Sequence, residues 1–343
     1  MSRSRTMGAR GPFGARARST VIAAVFGLGM FAGGVAVAQA QATFEGLPTA
    51  PGTSGDQLLY FYDQRPNRTT FFTVGNTQPT TGVTVEIVFY SQNFDTRLAE
   101  TVIVIPGGGA TVVDPASFAG VPGNGGLATV TPIVSETDHT PVVPPRPLVG
   151  GFTIVNLQLG AGFGDNAFGR LALQGPPGPG LAQRGAVGAA VDGASVSYQN
   201  FQPLTGVDAG LTLPVYFNPN TLAPADQDGN RVLLAAFNDA YGAPVGPGSS
   251  PRFNLAAITN GALVNFYNSG NGQKVVTNRP APVTGVEFES LQSLSGNASF
   301  TSSGRLDFTL GAFNNANESF FGTSSQSLGT FAGAQRLIPV DIR

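Results

Sequence analysis

The chain's single histidine, His139, is the first residue to consider for chemistry. It follows Glu136 and Asp138, and a carboxylate at that spacing can orient an imidazole for nucleophilic catalysis. A zinc site built from several histidines is excluded because there is no second one. Prolines crowd positions 141–147, so the sequence favours a solvated loop here, and no G-x-S-x-G motif indicates a serine hydrolase.

Asp226, Asp228 and Asn230 place oxygen ligands at alternate positions around Gly229, as at the start of a calcium-binding loop. The twelve-residue loop would end on a bidentate acid, but Phe237 occupies that position, so an intact loop of this type is excluded. The sequence therefore predicts at most a looser Ca²⁺ site at Asp226, Asp228 and Asn230. The alternative is a tight turn, which Asp-Gly-Asn also favours.

The other carboxylates are dispersed along the chain. Glu86 falls on the polar face of a strand pattern, and Glu287 and Glu289 share one face of another. A glycosidase needs two acids facing each other across a cleft, whereas these two are neighbours on one strand. The sequence thus identifies no catalytic residue and no cofactor, and it favours a protein that is not an enzyme.

Aromatic side chains are the remaining candidates, since exposed rings on one sheet face can stack on sugars. Trp, the preferred ring for such stacking, is absent, and buried rings are common in strands. The sequence therefore favours a core role for these rings, with carbohydrate binding as the alternative. The rings concerned are Tyr60, Phe61, Tyr62, Phe71, Phe72, Phe320 and Phe321.

The first 42 residues have the pattern of a secretory signal peptide. Five arginines precede an apolar run over 20–38, which ends in alternating alanines that offer several A-x-A cleavage frames. An uncleaved anchor is the alternative, but four glycines weaken a spanning helix. We expect cleavage, no membrane span afterwards, and a secreted, periplasmic or cell-surface location in a bacterium.

Composition narrows the function classes further. After the leader, 13 basic residues face 20 acidic ones, a net charge of about −7, and Lys274 is the only lysine. No basic cluster is present to follow phosphates, so nucleic acid is not an expected partner. Because there is no cysteine, stability must come from burial rather than from disulfides.

Frequent glycine and proline leave few helical stretches and many short β-branched runs. Residues 83–90 predict a half-buried strand, with Val85 and Ile87 on one face and Glu86 on the other. The runs 101–105 and 110–114, joined by Pro-Gly-Gly-Gly, predict a hairpin.

The predicted fold class is all-β, with two antiparallel sandwich units similar to immunoglobulin or jelly-roll folds. A weak similarity between 57–90 and 231–268 places the first unit at 43–205 and the second at 206–343. Such folds host many functions, so the likeness assigns no site. Proline- and glycine-rich segments near 135–151 and 175–188 are interpreted as loops or linkers.

These observations favour an exported, non-catalytic protein with a structural or adhesive role, acting through loops or sheet edges. The partner would be an unidentified protein or glycan, and self-association is a further expectation because open sheet edges accept strands. A carbohydrate-binding module and a glycoside hydrolase that uses carboxylates alone are the alternatives.

Overall fold

The computed structural model describes residues 53–142, 148–158, 160–174, 196–198, 201, 209–215, 230–241, 253–268, 274–295, 304–310, 318–328, 331–336 and 338–341. Nearly all of these residues lie in antiparallel strands, which confirms the predicted all-β class. The immunoglobulin-like or jelly-roll detail stays a prediction.

Two five-stranded sheets are built from the first part of the chain. Sheet A contains, in spatial order, β10 (Phe168–Arg170), β2 (Gln57–Asp63), β7 (Gly125–Ile133), β4 (Val83–Ser91) and β5 (Arg97–Ile105). Sheet B contains β1 (Ser54–Gly55), β8 (Leu148–Asn156), β3 (Arg68–Asn76) and β6 (Ala110–Val113), and β9 (Ala161–Asn166) also pairs with β8. A 3₁₀ turn at Pro115–Ser117 is capped by the Asp114 carboxylate, which accepts a hydrogen bond from the Ala116 N–H.

The later strands form a separate nine-stranded sheet D, and β11 (Ala172–Gln174) pairs with β12 (Val196–Tyr198) in a small sheet C. Sheet D runs in the order β20 (Phe331–Arg336), β19 (Glu318–Leu328), β14 (Arg231–Tyr241), β17 (Lys274–Ser290), β16 (Thr259–Asn268), β18 (Gly304–Leu310), β13 (Ala209–Val215) and β21 (Ile338–Asp341), with β15 (Phe253–Ala257) on β14. A five-residue helix, α1 (Leu291–Ser295), follows β17.

Sheet A is covered on both faces. On one face, Tyr60 stacks on Phe72 of sheet B with ring centroids 4.5 Å apart. On the other, Phe61 lies 5.4 Å from Phe321 of sheet D. Alternate residues of a strand point to opposite faces, so a strand between two layers buries the side chains of both faces. Every residue of β2 is accordingly buried, including the polar Gln57 and Asp63 at its ends.

Strand β14 divides its side chains between two apolar clusters. Leu233, Ala235 and Phe237 join the large cluster around sheet A, whereas Leu234 and Ala236 join a second cluster within sheet D. Among the described strands, no strand before residue 205 pairs with a strand after it. The large apolar cluster nevertheless contains residues from both parts of the chain. The division into 43–205 and 206–343 stays a prediction.

Two expectations about local structure are wrong. Strand 83–90 is not half-buried, because the segment after β7 covers the Glu86 face and Glu86 is 2% exposed. The runs 101–105 and 110–114 do not form a hairpin. The first pairs with β4 in sheet A and the second with β3 in sheet B, so the turn between them crosses from one sheet to the other.

The crossing turn explains why the hairpin pattern misleads. Gly108 adopts a left-handed φ of 65°, as a tight turn requires. Its N–H donates to the Gln78 carbonyl, which holds the turn against a neighbouring connection. A glycine-rich turn between two β-branched runs can therefore connect strands of two different sheets as well as the two strands of a hairpin.

A buried guanidinium links sheet A to the later strands. Arg170 is fully buried, and its Nη1 donates to Gln57 Oε1 at 2.9 Å. The guanidinium carbon lies 5.5 Å from the Tyr198 ring centroid and 5.8 Å from that of Phe237. Gln57 in turn donates to Thr131 Oγ1 at 2.9 Å. A buried cation needs such partners, because an unpaired one carries a large desolvation cost.

We therefore expect Arg170→Ala to lower the free energy of unfolding by ~3 kcal/mol or more, because it leaves a cavity and a buried Gln57 oxygen without its donor. Arg170→Met keeps most of the volume and should cost only about 1–3 kcal/mol. Urea unfolding followed by far-UV circular dichroism measures both. Equal losses for the two variants would show that the volume of the Arg170 side chain contributes nothing and would contradict its role in packing.

Candidate functional site

Among the residues that the structure describes, the outer face of sheet B offers a surface suited to binding. In β3, Thr70, Phe72 and Val74 point inward and are buried, whereas Phe71 and Thr73 point outward and are exposed. This follows from the two-residue period of a strand. Phe71 is 42% exposed, an unusual position for a large ring in a chain that buries most of the others described.

Neighbouring strands extend this face with small and polar residues. Register pairs Phe71 with Thr153 and Thr73 with Gly151 of β8, and Thr153 in turn faces Gly164 of β9. The two glycines have no side chain, so the backbone stays accessible beside the Phe71 ring. The result is a shallow floor with one raised aromatic edge.

A cavity of about 470 Å³ lies on this floor. That volume falls in the range of small-molecule sites, although this one is open and shallow. Its lining presents an aromatic ring, two hydroxyls and an amide, whereas Asp165 pairs with inward-facing Phe152 and turns its carboxylate away from the floor. The lining residues are Phe71, Thr73, Gly151, Phe152, Thr153, Gly164, Asp165 and Asn166. We call this set the Phe71 face.

Asp165 is held in place by partners on both of its oxygens. Oδ1 accepts a hydrogen bond from the Asn166 N–H at 2.7 Å, and Oδ2 accepts one from the Thr323 hydroxyl of β19 at 2.8 Å. On the floor, the Thr73 hydroxyl accepts from the Gly151 N–H at 3.3 Å. The carboxylate is therefore tied to sheet D on the inward side of β9, which holds this strand in place at the edge of the floor.

The structure divides the seven predicted aromatic residues into six buried rings and one exposed ring. Burial of Tyr60, Phe61, Tyr62 and Phe72 confirms their predicted core role, and Phe320 and Phe321 are buried as well. Burial also raises the pKa of Tyr60 well above its ordinary value, so its hydroxyl stays protonated and donates to the Thr73 carbonyl at 2.9 Å. Phe71 is the exception. Phe71 is exposed beside buried Phe72 because successive residues of β3 point to opposite faces of sheet B.

His139 does not lie in a solvated loop as expected. Its side chain is 11% exposed, and its Nδ1 lies 2.6 Å from Oε1 of buried Glu86. Glu100 of β5 completes a cluster in which ligand atoms of all three residues lie within 4.8 Å of one another. Sequence inspection named His139 and Glu86 but could not join them, because they are 53 residues apart.

The predicted Ca²⁺ ligands are placed only in part. Asp226 and Asp228 lie outside the described residues. Asn230 is fully buried, and its backbone carbonyl accepts a hydrogen bond from the Leu291 N–H at 2.9 Å. A Ca²⁺ site at these three residues stays a prediction.

Glu287 and Glu289 lie on one face of β17, as the sequence predicts, opposite Leu234 and Val232 of β14. Both carboxylates are half-buried. Desolvation raises the pKa of Glu287 above its ordinary value, a hydrogen bond from the Thr284 N–H opposes this, and the Glu289 charge adds to the rise. Their position on one strand gives no cleft between them.

Comparison with known proteins assigns no family. No family model and no curated protein matches the chain. Among solved structures, a lectin from Pleurotus ostreatus in complex with GalNAc spans 87% of this chain and 87% of its own, at 11% identity and a TM-score of 0.12. That likeness is too low to support any argument. Within the part of the chain that the structure describes, no helix has the length and hydrophobicity to span a membrane.

The raised pKa of Glu287 predicts how stability changes with pH. The folded state holds this proton more tightly than the unfolded state, so stability falls as pH rises from the ordinary glutamate pKa through the raised one. Glu287→Gln keeps the acceptor for the Thr284 N–H and removes the charge. The variant should therefore exceed wild type in stability at pH 7 and match it at pH 3.5. Urea titrations at the two pH values test this, and the same difference at both would contradict it.

Proposed function

We propose that this protein is a non-catalytic binding protein that recognises a neutral saccharide on the Phe71 face. One observation carries the proposal: an exposed phenyl ring stands beside hydroxyl and amide groups on a flat sheet surface. A sugar ring has an apolar C–H face and a rim of hydroxyls. The Phe71 face offers a partner for each.

The polar groups on this face suit hydroxyl ligands. The Asn166 amide supplies both donors and an acceptor, and the threonine hydroxyls act either way. The backbone of the Phe71 face carries no side chain at Gly151 and Gly164, so a ligand can approach it closely there. A few such fixed polar groups beside an apolar surface are what orient a small ligand.

The charge of the face selects against anionic ligands. Its lining residues include no basic residue, and the one acid, Asp165, turns its carboxylate inward toward Thr323. A sulfated or sialylated glycan would therefore meet no cationic side chain of this lining with which to pair. The mature chain is also acidic as a whole, which adds a repulsive field. We therefore assign the site to neutral sugars.

Catalysis is not part of the proposal. The close pair of acids that the structure describes, Glu86 and Glu100, includes a side chain that is 2% exposed and in contact with His139. A glycosidase needs both acids to reach the scissile bond. The leader at 1–42 supports export, so the expected ligand is a glycan outside the cytoplasm.

Replacing the ring tests the proposal. Phe71→Ala should weaken saccharide binding at least about tenfold, because a central aromatic contact commonly contributes more than 1.4 kcal/mol. A neutral glycan array followed by titration calorimetry identifies and measures the ligand. Val104→Ala removes another exposed apolar side chain, on the edge of sheet A, and should leave binding unchanged. An array without hits for the folded wild-type protein would overturn the proposal.

Strand addition is a second candidate function, favoured by one edge of sheet A. Strand β5 is nine residues long and, among the described strands, pairs only with β4. Val104 on this strand is 57% exposed. A long edge strand can accept a strand from a neighbouring copy, which supports a structural or adhesive role.

Light scattering tests this second candidate. If β5 mediates association, wild-type protein without its leader should show a mass that rises with concentration, and Val104→Lys should remove the rise because a charge blocks edge pairing. Val112→Lys, on exposed β6 of sheet B, is the matched control and should behave as wild type. A monomer at every concentration would contradict edge association.

A further inference from the structure

We infer that Glu86, Glu100 and His139 form a binding site for a divalent transition-metal ion of the zinc class. The site lies on sheet A, away from the Phe71 face on sheet B, and does not depend on the proposed saccharide binding. It joins two adjacent strands and the segment after β7. No other group of this kind occurs among the residues that the structure describes.

The strands bring the two carboxylates together. Glu100 of β5 pairs directly with Val88 of β4, which places it diagonally across from Glu86 on the same face. Side chains at diagonal positions are within reach of each other when they are long. Two carboxylates this close repel unless cations lie near them. The Arg97 guanidinium, 3.5 Å from Glu100 Oε2, offsets part of this repulsion, and a metal ion between the carboxylates would offset the rest.

The third ligand comes from the segment that follows β7. Pro141 bridges back to Ile133, and the Val134 N–H donates to the Thr140 carbonyl, which folds this segment over sheet A. His139 Nδ1 is thereby held 2.6 Å from Glu86 Oε1. That separation is a hydrogen bond. Ligands around a tetrahedral ion lie about 3.4 Å apart, so the ring must withdraw by somewhat under 1 Å on metal binding.

The other ring nitrogen is oriented as it would be in a metal-bound histidine. His139 Nε2 lies 3.2 Å from the Glu136 carbonyl oxygen, so Nε2 must carry the proton. Both nitrogens therefore face oxygen acceptors, and a metal ion at Nδ1 can replace the proton there. Metal-bound histidines typically donate their other N–H to a backbone carbonyl in this way.

The ligand set selects the kind of ion. One imidazole and two carboxylates suit Zn²⁺ and Co²⁺, whereas Ca²⁺ takes six to eight oxygens. Arg97 lowers the affinity of the site for the metal ion, because its Nη1 lies 3.5 Å from Glu100 Oε2. The ion would have to share Glu100 with this guanidinium. In a chain without cysteine, the bound ion would fasten β4, β5 and the His139 segment together.

The single histidine makes the test specific. Long-range ¹H–¹⁵N spectra of the folded wild-type protein show one imidazole, and Zn²⁺ should shift its Nδ1 resonance and leave Nε2 protonated. Ca²⁺ should leave both resonances unchanged. A spectrum that does not respond to excess Zn²⁺ would overturn the inference, as would a Zn²⁺-induced shift of Nε2 in place of Nδ1.

Variants measured by Zn²⁺ titration calorimetry complete the test. Glu100→Gln, on a partly exposed residue, should weaken Zn²⁺ binding at least about tenfold. Arg97→Gln should strengthen it by about two- to tenfold, because a competing positive charge is removed. Glu136→Gln removes a carboxylate from the same segment but outside the cluster, and should have no effect. Equal affinities for wild type and Glu100→Gln would overturn the inference.

Discussion

Sheet A is buried on both faces, and the positions of the other sheets follow from this burial. Sheet B packs on one side through Tyr60 and Phe72, and sheet D on the other through Phe61 and Phe321. Strands in such a position bury aromatic side chains from both faces, and each ring removes ~150–250 Å² from water. This burial replaces the disulfides that a cysteine-free chain lacks.

Polar groups inside these layers must be paired, and their pairing sets the local geometry. Arg170 finds Gln57 and two aromatic rings between the layers, and Glu86, which lies on the same face of sheet A as Gln57, finds His139. An unpaired charge in these places would carry a large cost. Sheet B differs because its outer face lies away from sheet A. It is there that Phe71 and a row of small residues remain open to a ligand.

The sequence predicted the all-β class because frequent glycine and proline leave room for short strands and little else. It could not predict which sheet each strand joins: 101–105 and 110–114 look like a hairpin, yet pair with different partners. Phe71 was grouped with its buried neighbours, since the exposed face of β3 is set by how the sheets stack. Contacts as distant in sequence as Glu86 with His139, or Asp165 with Thr323, leave no local pattern to recognise.

Hydroxyl-radical footprinting measures the solvent exposure of each aromatic side chain in the folded protein and therefore shows whether sheet A is buried on both faces. We expect rapid oxidation of Phe71, with Tyr60, Phe61 and Tyr62 protected until the protein unfolds. Oxidation of Phe61 or Tyr60 at the rate of Phe71 would show that sheet A is open on one face and would contradict the layered arrangement.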